Sequence, residues 1–286
     1  MSTVDQFESV FKAAAKTTYS YKKPPLNKVL LVTDMVKDQA TLYLNLVRAF
    51  LDESLSPNET EWVLLSESDF ETVKDLLEKV ELNRPDLIVT YRHLKSESWR
   101  WPYSLGEHLD VLTQVTETPV LVIPHPDRDD SSELLSTAPK KIMAVSSHIC
   151  GEGTLVNYAS AFTPKDGSLS ISHIEDKSTL DRYLDAIDKI PDIDSEVARE
   201  TLLNRLLKDA KDFSESAKEC LVQAGLGIKV ECNAQLGSQL EDYRKLIEDG
   251  EVDLLVMHAK EDDQLAMHGM AHPLVVELRS VPILLL

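Results

Sequence analysis

Two stretches of the chain repeat one construction. Asp253 to Leu286 reads DLLVMHAKEDDQLAMHGMAHPLVVELRSVPILLL, and Asp86 to Pro124 reads DLIVTYRHLKSESWRWPYSLGEHLDVLTQVTETPVLVIP. Each opens on an aspartate, runs through an apolar strand and a polar loop to a single glycine, and continues as a short apolar helix and a second strand. In both copies the glycine stands thirteen residues before the proline that introduces the last strand, Gly106 to Pro119 and Gly269 to Pro282. A unit repeated at so long a spacing is a duplicated domain, not one turn of a solenoid. The chain is thereby restricted to a pair of similar layered domains.

Its length agrees, because 286 residues exceed the usual size of one domain. The expected division is an N-terminal arm helix and linker over 1–26, a shortened first domain over 27–127, a linker over 128–139 and a second domain over 140–286. Val4, Phe7, Val10, Phe11 and Ala14 recur at helical spacing, so Ser2–Lys16 is expected to be an amphipathic arm that Pro24 and Pro25 close off. Lys28–Thr33 is a continuous apolar run, the pattern of a strand buried on both faces of a parallel sheet. A helix over about Lys37–Leu51, a strand at Trp62–Leu65 and a helix from a capping box at Ser68–Glu71 to about Leu82 lead into the first copy of the repeated unit.

After the polar linker, Lys140–Ser147 repeats the opening strand, with Lys141 opposite Lys28 and Ser147 opposite Asp34. A helix near Leu155–Ala161, a strand at Ser168–His173, helices at Thr179–Lys189 and Asp194–Ala224, a strand at Ile228–Cys232 and a helix at Gln239–Glu248 precede the second copy. Leu203, Leu206, Ala210, Phe213, Ala217, Cys220, Leu221 and Ala224 mark one apolar face of the long helix, and Gly225 and Gly227 stop it. The alternation predicts an α/β doubly wound fold with right-handed crossovers, five strands in the second half and four in the first. Both final strands are unbroken apolar runs, and an open apolar edge invites aggregation, so the two are expected to meet across a pseudo-twofold interface.

The strand, helix and proline-led strand, present twice, resemble the universal stress protein family in its tandem form. That resemblance implies two parallel-sheet domains forming a pseudo-dimer within one chain, with a homodimer of such chains as a further arrangement, and a role in stress tolerance. In the nucleotide-binding members an aspartate after the first strand meets adenine, and glycines of the fourth-strand loop let backbone N–H groups wrap the phosphates at a helix N-terminus. Here Tyr91 and His258 stand where the family has glycine after that strand, and Glu107 and Met270 where it has serine or threonine. The fold carries over more fully than the loop chemistry does.

Any ligand of such a sheet sits at the carboxyl ends of its strands, where the loops after the first and fourth strands face each other. In the second half these loops hold Ser147–Gly153 and His258–Met270, and Glu261, Asp262 and Asp263 set three negative charges where a polyphosphate would lie. At ~4 Å each such contact costs on the order of 1–4 kcal/mol, so no ATP is expected there. In the first half Asp34 is retained, and Arg92, His93, Lys95 and Arg100 lie in the loop before Gly106. Asp34, Arg92, Lys95 and Gly106 are therefore the candidate site for ATP or AMP, against the alternative of a solvated loop packed by Trp99, Trp101 and Tyr103.

Other motifs carry less. His258, His268 and His272 beside Glu261–Asp263 are ligand types for a divalent metal, but Pro273 puts the start of the helix after His272, and no HExxH accompanies them. Gly151–Gly153 lacks the lysine of a P-loop and reads as a turn. Ser146, Ser147 and His148 are adjacent in sequence, which is not the geometry of a nucleophile and its base. His173 ends a strand, and Asp86 and Asp253 read as carboxylates that terminate loops. No catalytic residue, cofactor of the second half or metal is assigned, and the chain is expected to bind a partner protein or small molecule without turnover.

Charge and cysteines bound the rest. The net charge of −19 opposes a nucleic acid or anionic membrane as partner. It is spread evenly, 14 basic and 23 acidic residues preceding Pro139 and 16 and 26 following it. Cys150, Cys220 and Cys232 fit no metal spacing and suit a reducing compartment. No run approaches the ~18 apolar residues of a span, and no signal peptide is recognisable, so the cytoplasm is the expected location.

Overall fold

A computed structural model describes residues 19–55, 59–100, 104–128, 131–146, 149–190, 194–260, 267 and 270–286. The expected arm helix Ser2–Lys16 lies outside the described residues, as do Trp101, Tyr103, Ser147, His148, Glu261–Asp263, His268 and Gly269. The strands are β1 (Lys28–Val32), β2 (Glu61–Leu65), β3 (Leu87–Tyr91), β4 (Val120–Ile123), β5 (Lys141–Val145), β6 (Ser168–Asp176), β7 (Lys229–Gly237), β8 (Leu254–Met257) and β9 (Ile283–Leu285). The helices are α1 (Lys37–Leu51), α2 (Val73–Asn83), α3 (Glu107–Val115), the single turn α4 (Ser131–Leu134), α5 (Gly153–Phe162), α6 (Lys177–Ile187), α7 (Ser195–Gln223), α8 (Gln239–Asp249) and α9 (Ala271–Glu277). Among the described residues no helix is long and apolar enough to cross a membrane.

All nine strands form one sheet in the order β2-β1-β3-β4-β9-β8-β5-β6-β7. Every neighbouring pair is parallel except β4 and β9, which run antiparallel with Leu121 opposite Leu284. The two proline-led strands thus meet, each covering the edge the other would leave open. Every residue of β3, β4, β8 and β9 is buried, so helices cover both faces there. The strand order reverses between β1 and β3 and again between β5 and β8, which places the loops after these strands together in each half.

The two aspartates that open the repeated units have the same task. One carboxylate oxygen of Asp86 accepts the backbone N–H groups of Asn27 (2.8 Å) and Lys28 (3.0 Å). One of Asp253 accepts those of Lys140 and Lys141, both at 2.8 Å. Each carboxylate therefore fixes the start of the neighbouring strand, β1 or β5, beside its own. The lysines opening those strands pair alike, Lys28 with Glu61 at 2.9 Å and Lys141 with Glu251 at 2.8 Å.

Several element boundaries differ from expectation. The sequence SESDFETVKD contains overlapping capping signals, and α2 starts at the last of them: Thr72 and Asp75 cap it reciprocally, while Ser66 and Asp69 close only a short turn of 3-10 helix. The expected start at Ser68 is corrected accordingly. Strands β6 and β7 each run nine residues, past the expected ends at His173 and Cys232, because beyond Val145 they pair only with each other and their half-buried polar side chains break the apolar signal. Helix α9 begins at Ala271, before His272, since Pro273 falls in the first turn, where a backbone N–H has no partner within the helix.

Helix α7 keeps its expected ends. Asp194 caps it by accepting from the N–H groups of Glu196 and Val197, and Gly225 and Gly227 leave it with φ of +70°. Its buried side includes Ala210, Phe213, Ala217 and Leu221. The segment before β1 lies on it: the Tyr19 ring meets Phe213 edge-on at 6.3 Å, and Asn157 of α5 accepts from the Tyr19 hydroxyl (2.8 Å) and the Lys22 N–H (3.0 Å).

Candidate functional site

In the first half the loop after β1 and the loop after β3 close on each other through Asp34. The Tyr91 hydroxyl, at the end of β3, donates to one carboxylate oxygen of Asp34, and the Lys95 backbone N–H donates to the other at 2.6 Å. The same phenol oxygen accepts from the Asp34 N–H (3.1 Å) and lies 2.8 Å from the Thr33 hydroxyl. Burial, then the Asp34 carboxylate, hold the Tyr91 phenol well above its ordinary pKa, so it remains a donor across the physiological range. Tyr91 is fully buried, with Tyr43 edge-on to one side at 6.0 Å and His125 at 5.0 Å.

After β3, Arg92, His93 and Leu94 turn inward and are buried, as is Leu105. His93 and Lys95 take left-handed backbone conformations on either side of buried Leu94, and the His93 N–H bonds the Leu105 carbonyl at 2.8 Å. Gly106, at φ +90°, has the His93 backbone against it: a Cβ there would lie 2.7 Å from the His93 Cα. The glycine serves this close approach. The Lys95 ammonium donates to the Glu67 carbonyl at 2.6 Å and stands 5.0 Å over the Phe70 ring.

Of the four candidate residues, Asp34 and Lys95 come together and Gly106 supports their loop. Arg92 goes elsewhere. Its guanidinium is buried at the β4–β9 seam and donates to the carbonyls of Leu278 (2.6 Å) and Val276 (3.4 Å) at the end of α9. Arg92 and Lys95, expected to face one anion, donate instead to separate carbonyls; the last carbonyls of a helix are strong acceptors, and Arg92 satisfies those of α9. Lys260 makes the counterpart contact, donating to the Gln114 carbonyl of α3 at 2.9 Å. Each half therefore extends one cation onto the end of the other half's last helix.

The second half has its own closure. His258, at the position of Tyr91, brings Nε2 to 2.7 Å from a carboxylate oxygen of Glu152, in the loop after β5. The approach lies off the hydrogen-bonding direction, so the two atoms are in contact without an aligned bond. Deeper in, the Tyr243 hydroxyl accepts from the Ile174 N–H at 2.8 Å and donates to the Ser146 carbonyl at 3.2 Å. His173 lies beside them, with Nδ1 3.2 Å from that carbonyl and Nε2 3.3 Å from Glu175. It sits within β6 as a buried polar link between strands. Among the described residues no group of three histidine, cysteine or carboxylate side chains is placed to hold a metal.

Sequence reasoning noted Tyr91 and His258 as replacements for glycine but not their engagement of Asp34 and Glu152. The signal was there, since a polar side chain at the switch point faces the loop after the first strand. His125 left no signal beyond its place after a strand. Burial pushes its imidazole down to about 4.

The fold has counterparts. It is similar to a functionally unknown protein from Pseudomonas aeruginosa PAO1, with 12% identity, a TM-score of 0.51 and coverage of 92% of this chain and 93% of that one. It is equally similar to a universal stress protein from Archaeoglobus fulgidus DSM 4304, with 11% identity, a TM-score of 0.51 and coverage of 91% and 98%. At these identities the likeness is one of fold. No family model and no curated protein matches the chain.

Proposed function

We propose that this chain, built on the universal stress protein fold, acts in stress tolerance as a non-catalytic binding protein. It would engage a protein partner or small molecule through a tandem of two domains, residues 27–127 and 140–286. The observation that carries the reading is that in each half a side chain at the end of the fourth-strand position reaches a carboxylate in the loop after the first strand, Tyr91 on Asp34 and His258 against Glu152. An aspartate awaiting adenine needs an open carboxylate, and here both oxygens of Asp34 accept from within. A loop that wraps phosphates needs backbone N–H groups at close range, and Tyr91 brings a ring instead. On this reading the second half does not bind ATP, and a nucleotide in the first half would have to displace Tyr91 from Asp34.

Native mass spectrometry of the purified protein and an ATP titration by calorimetry test this. The expected result is no retained adenine nucleotide and no stoichiometric binding. Tyr91→Gly would open the first cleft and create measurable affinity there. Stoichiometric ATP in the parent protein would overturn the reading, and one weak, salt-sensitive site lost in Lys95→Ala would favour an adenine-nucleotide binder using the first half.

A further inference from the structure

The β4–β9 seam ends differently on its two sides. In the register that aligns Asp86 with Asp253 and Pro119 with Pro282, Arg92 corresponds to Ala259, Arg279 to Thr116 and Val281 to Thr118. Arg92, Arg279 and Val281 line one end of the seam, where a recess of only about 20 Å³ is left. Ala259, Thr116 and Thr118 line the other, where the recess has a volume of about 370 Å³ and opens to solvent. Alanine and threonine in place of two arginines leave that space open. The cation comes instead from one position further on, since Lys260 bonds the Gln114 carbonyl of α3 as Arg92 bonds those of α9. We propose that this larger recess binds a small zwitterion with an apolar body, an amino acid or a dipeptide. The site rests on the reading of the chain as a binder of a partner or small molecule, and gives that reading a place and a ligand class.

Size comes first. A volume of about 370 Å³ falls within the roughly 300–1,000 Å³ of small-molecule sites. Charge comes second. Lys260 and Glu117 both line the recess, and no ion pair joins the two. One N–H of the Lys260 ammonium goes to Gln114, which leaves two to donate, whereas the exposed Glu117 carboxylate accepts only. A fixed charge of each sign selects a ligand that carries both, a carboxylate for Lys260 and an ammonium for Glu117. A simple anion would be repelled by Glu117 and a simple cation by Lys260. His258, the other titratable side chain in the wall, has the Glu152 carboxylate beside it at 2.7 Å, so any charge it takes on is matched. The make-up of the wall comes third. Thr116 accepts the Thr118 N–H at 3.1 Å, which leaves its hydroxyl hydrogen to donate to a carboxylate. Val120 and Leu285, buried in β4 and β9, supply an apolar surface for the ligand's side chain. The end of the seam that has gained room has thus also gained hydroxyls, at Thr116 and Thr118, where the closed end has Arg279 and Val281.

The test is thermal unfolding and calorimetric titration of the full chain with L-phenylalanine and with phenylalanyl-leucine, beside 3-phenylpropanoate and 2-phenylethylamine, which keep the ring and one charge each. The expected result is a saturable rise in Tm of roughly 2–4 °C at about five times Kd for a zwitterion, with each single-charge analogue binding roughly tenfold or more weakly. Tighter binding of phenylalanine identifies a free amino acid, and tighter binding of phenylalanyl-leucine a dipeptide; either supports the site. Thr116→Arg, which gives this recess the residue found at the closed end, should abolish the response. Glu117→Gln, at an exposed position, should weaken phenylalanine roughly tenfold and narrow its margin over 3-phenylpropanoate. Lys74→Gln, on the exposed side of α2, should leave the response intact. No rise with either zwitterion, equal binding of the single-charge analogues, or a response that survives both Thr116→Arg and Glu117→Gln overturns the site. Its failure is distinct from failure of the functional reading, which falls on stoichiometric ATP and not on an empty seam.

Discussion

Tyr91 donates its phenolic hydrogen to Asp34, joining the end of β3 to the loop that follows β1 across the reversal in strand order. This is the point where a sheet of this kind offers a ligand its place. In this chain the place is held by a side chain. Tyr91→Phe keeps the ring and removes the hydroxyl, leaving a carboxylate oxygen, the Asp34 N–H and the Thr33 hydroxyl without that partner. Leaving such groups unsatisfied costs about 1–3 kcal/mol. Denaturant unfolding should show that loss with an unchanged slope, and equal stability would mean that water replaces the hydroxyl.

The repeated aspartates give a paired prediction. Asp86→Ala and Asp253→Ala each strip two backbone N–H groups at a strand start of their acceptor. Each should cost roughly 1–3 kcal/mol, and the two costs should be similar because the geometry is. Chemical denaturation of both variants is sufficient to compare them. A large cost in one and none in the other would separate the roles of these residues despite their matching contacts.

Much of the fold was legible because its signals are local or periodic. Apolar runs between polar turns placed the strands, and the unbroken apolar character of the two proline-led strands anticipated the meeting of β4 with β9. What escaped was decided by contacts between distant segments. Nothing near Arg92 in sequence announces the carbonyls of Val276 and Leu278, and a lone glycine at 106 reads alike whether it faces a phosphate or the backbone of His93. The start of α2 was missed for another reason: several capping signals overlap, and propensity alone does not rank them.

The buried histidines make stability depend on pH. Burial lowers the pKa of His93, His108 and His125, the last to about 4, from an ordinary 6.5. Their folded forms resist a proton that the unfolded chain accepts, so their contribution is neutral above about 6.5 and increasingly unfavourable as pH falls toward 4. The carboxylates of Asp69 and Asp75, held below their ordinary 3.8 by bonds from Ser66 and Thr72, lose their contribution only at still lower pH. Tm should therefore fall between pH 6.5 and 4 in the parent, and less steeply in His125→Gln. An unchanged slope in that variant would exclude His125 as a source.

At Gly106 the prediction is steric. Alanine would set a Cβ 2.7 Å from the His93 Cα and 2.9 Å from its nitrogen, at a φ of +90° that side chains rarely adopt. Strain of this kind costs of order 1–3 kcal/mol. Because the loop carries the Lys95 N–H that binds Asp34, Gly106→Ala should also increase hydrogen exchange at Lys95. Protection equal to that of the parent would show the loop absorbing the methyl group elsewhere.

Phe213 tests how the long helix is held. It is 3% exposed and meets Tyr19 edge-on, so replacing it with alanine empties a space lined by α7 and the segment before β1. Such a truncation costs roughly 3–5 kcal/mol, a large share of the 5–15 kcal/mol that stabilises a typical domain. For a protein of this size a fall in Tm of roughly 10 °C is expected. Tyr19→Ala should be additive with it except for the ring contact, whose coupling in a double-mutant cycle is expected at about 0.5–1.5 kcal/mol. Tyr19→Phe keeps that contact and removes only the bond to Asn157, isolating the hydroxyl. If Phe213→Ala melts like the parent, the helix does not depend on this face for its attachment. Coupling near zero would instead mean that the segment before β1 is held by Asn157 alone.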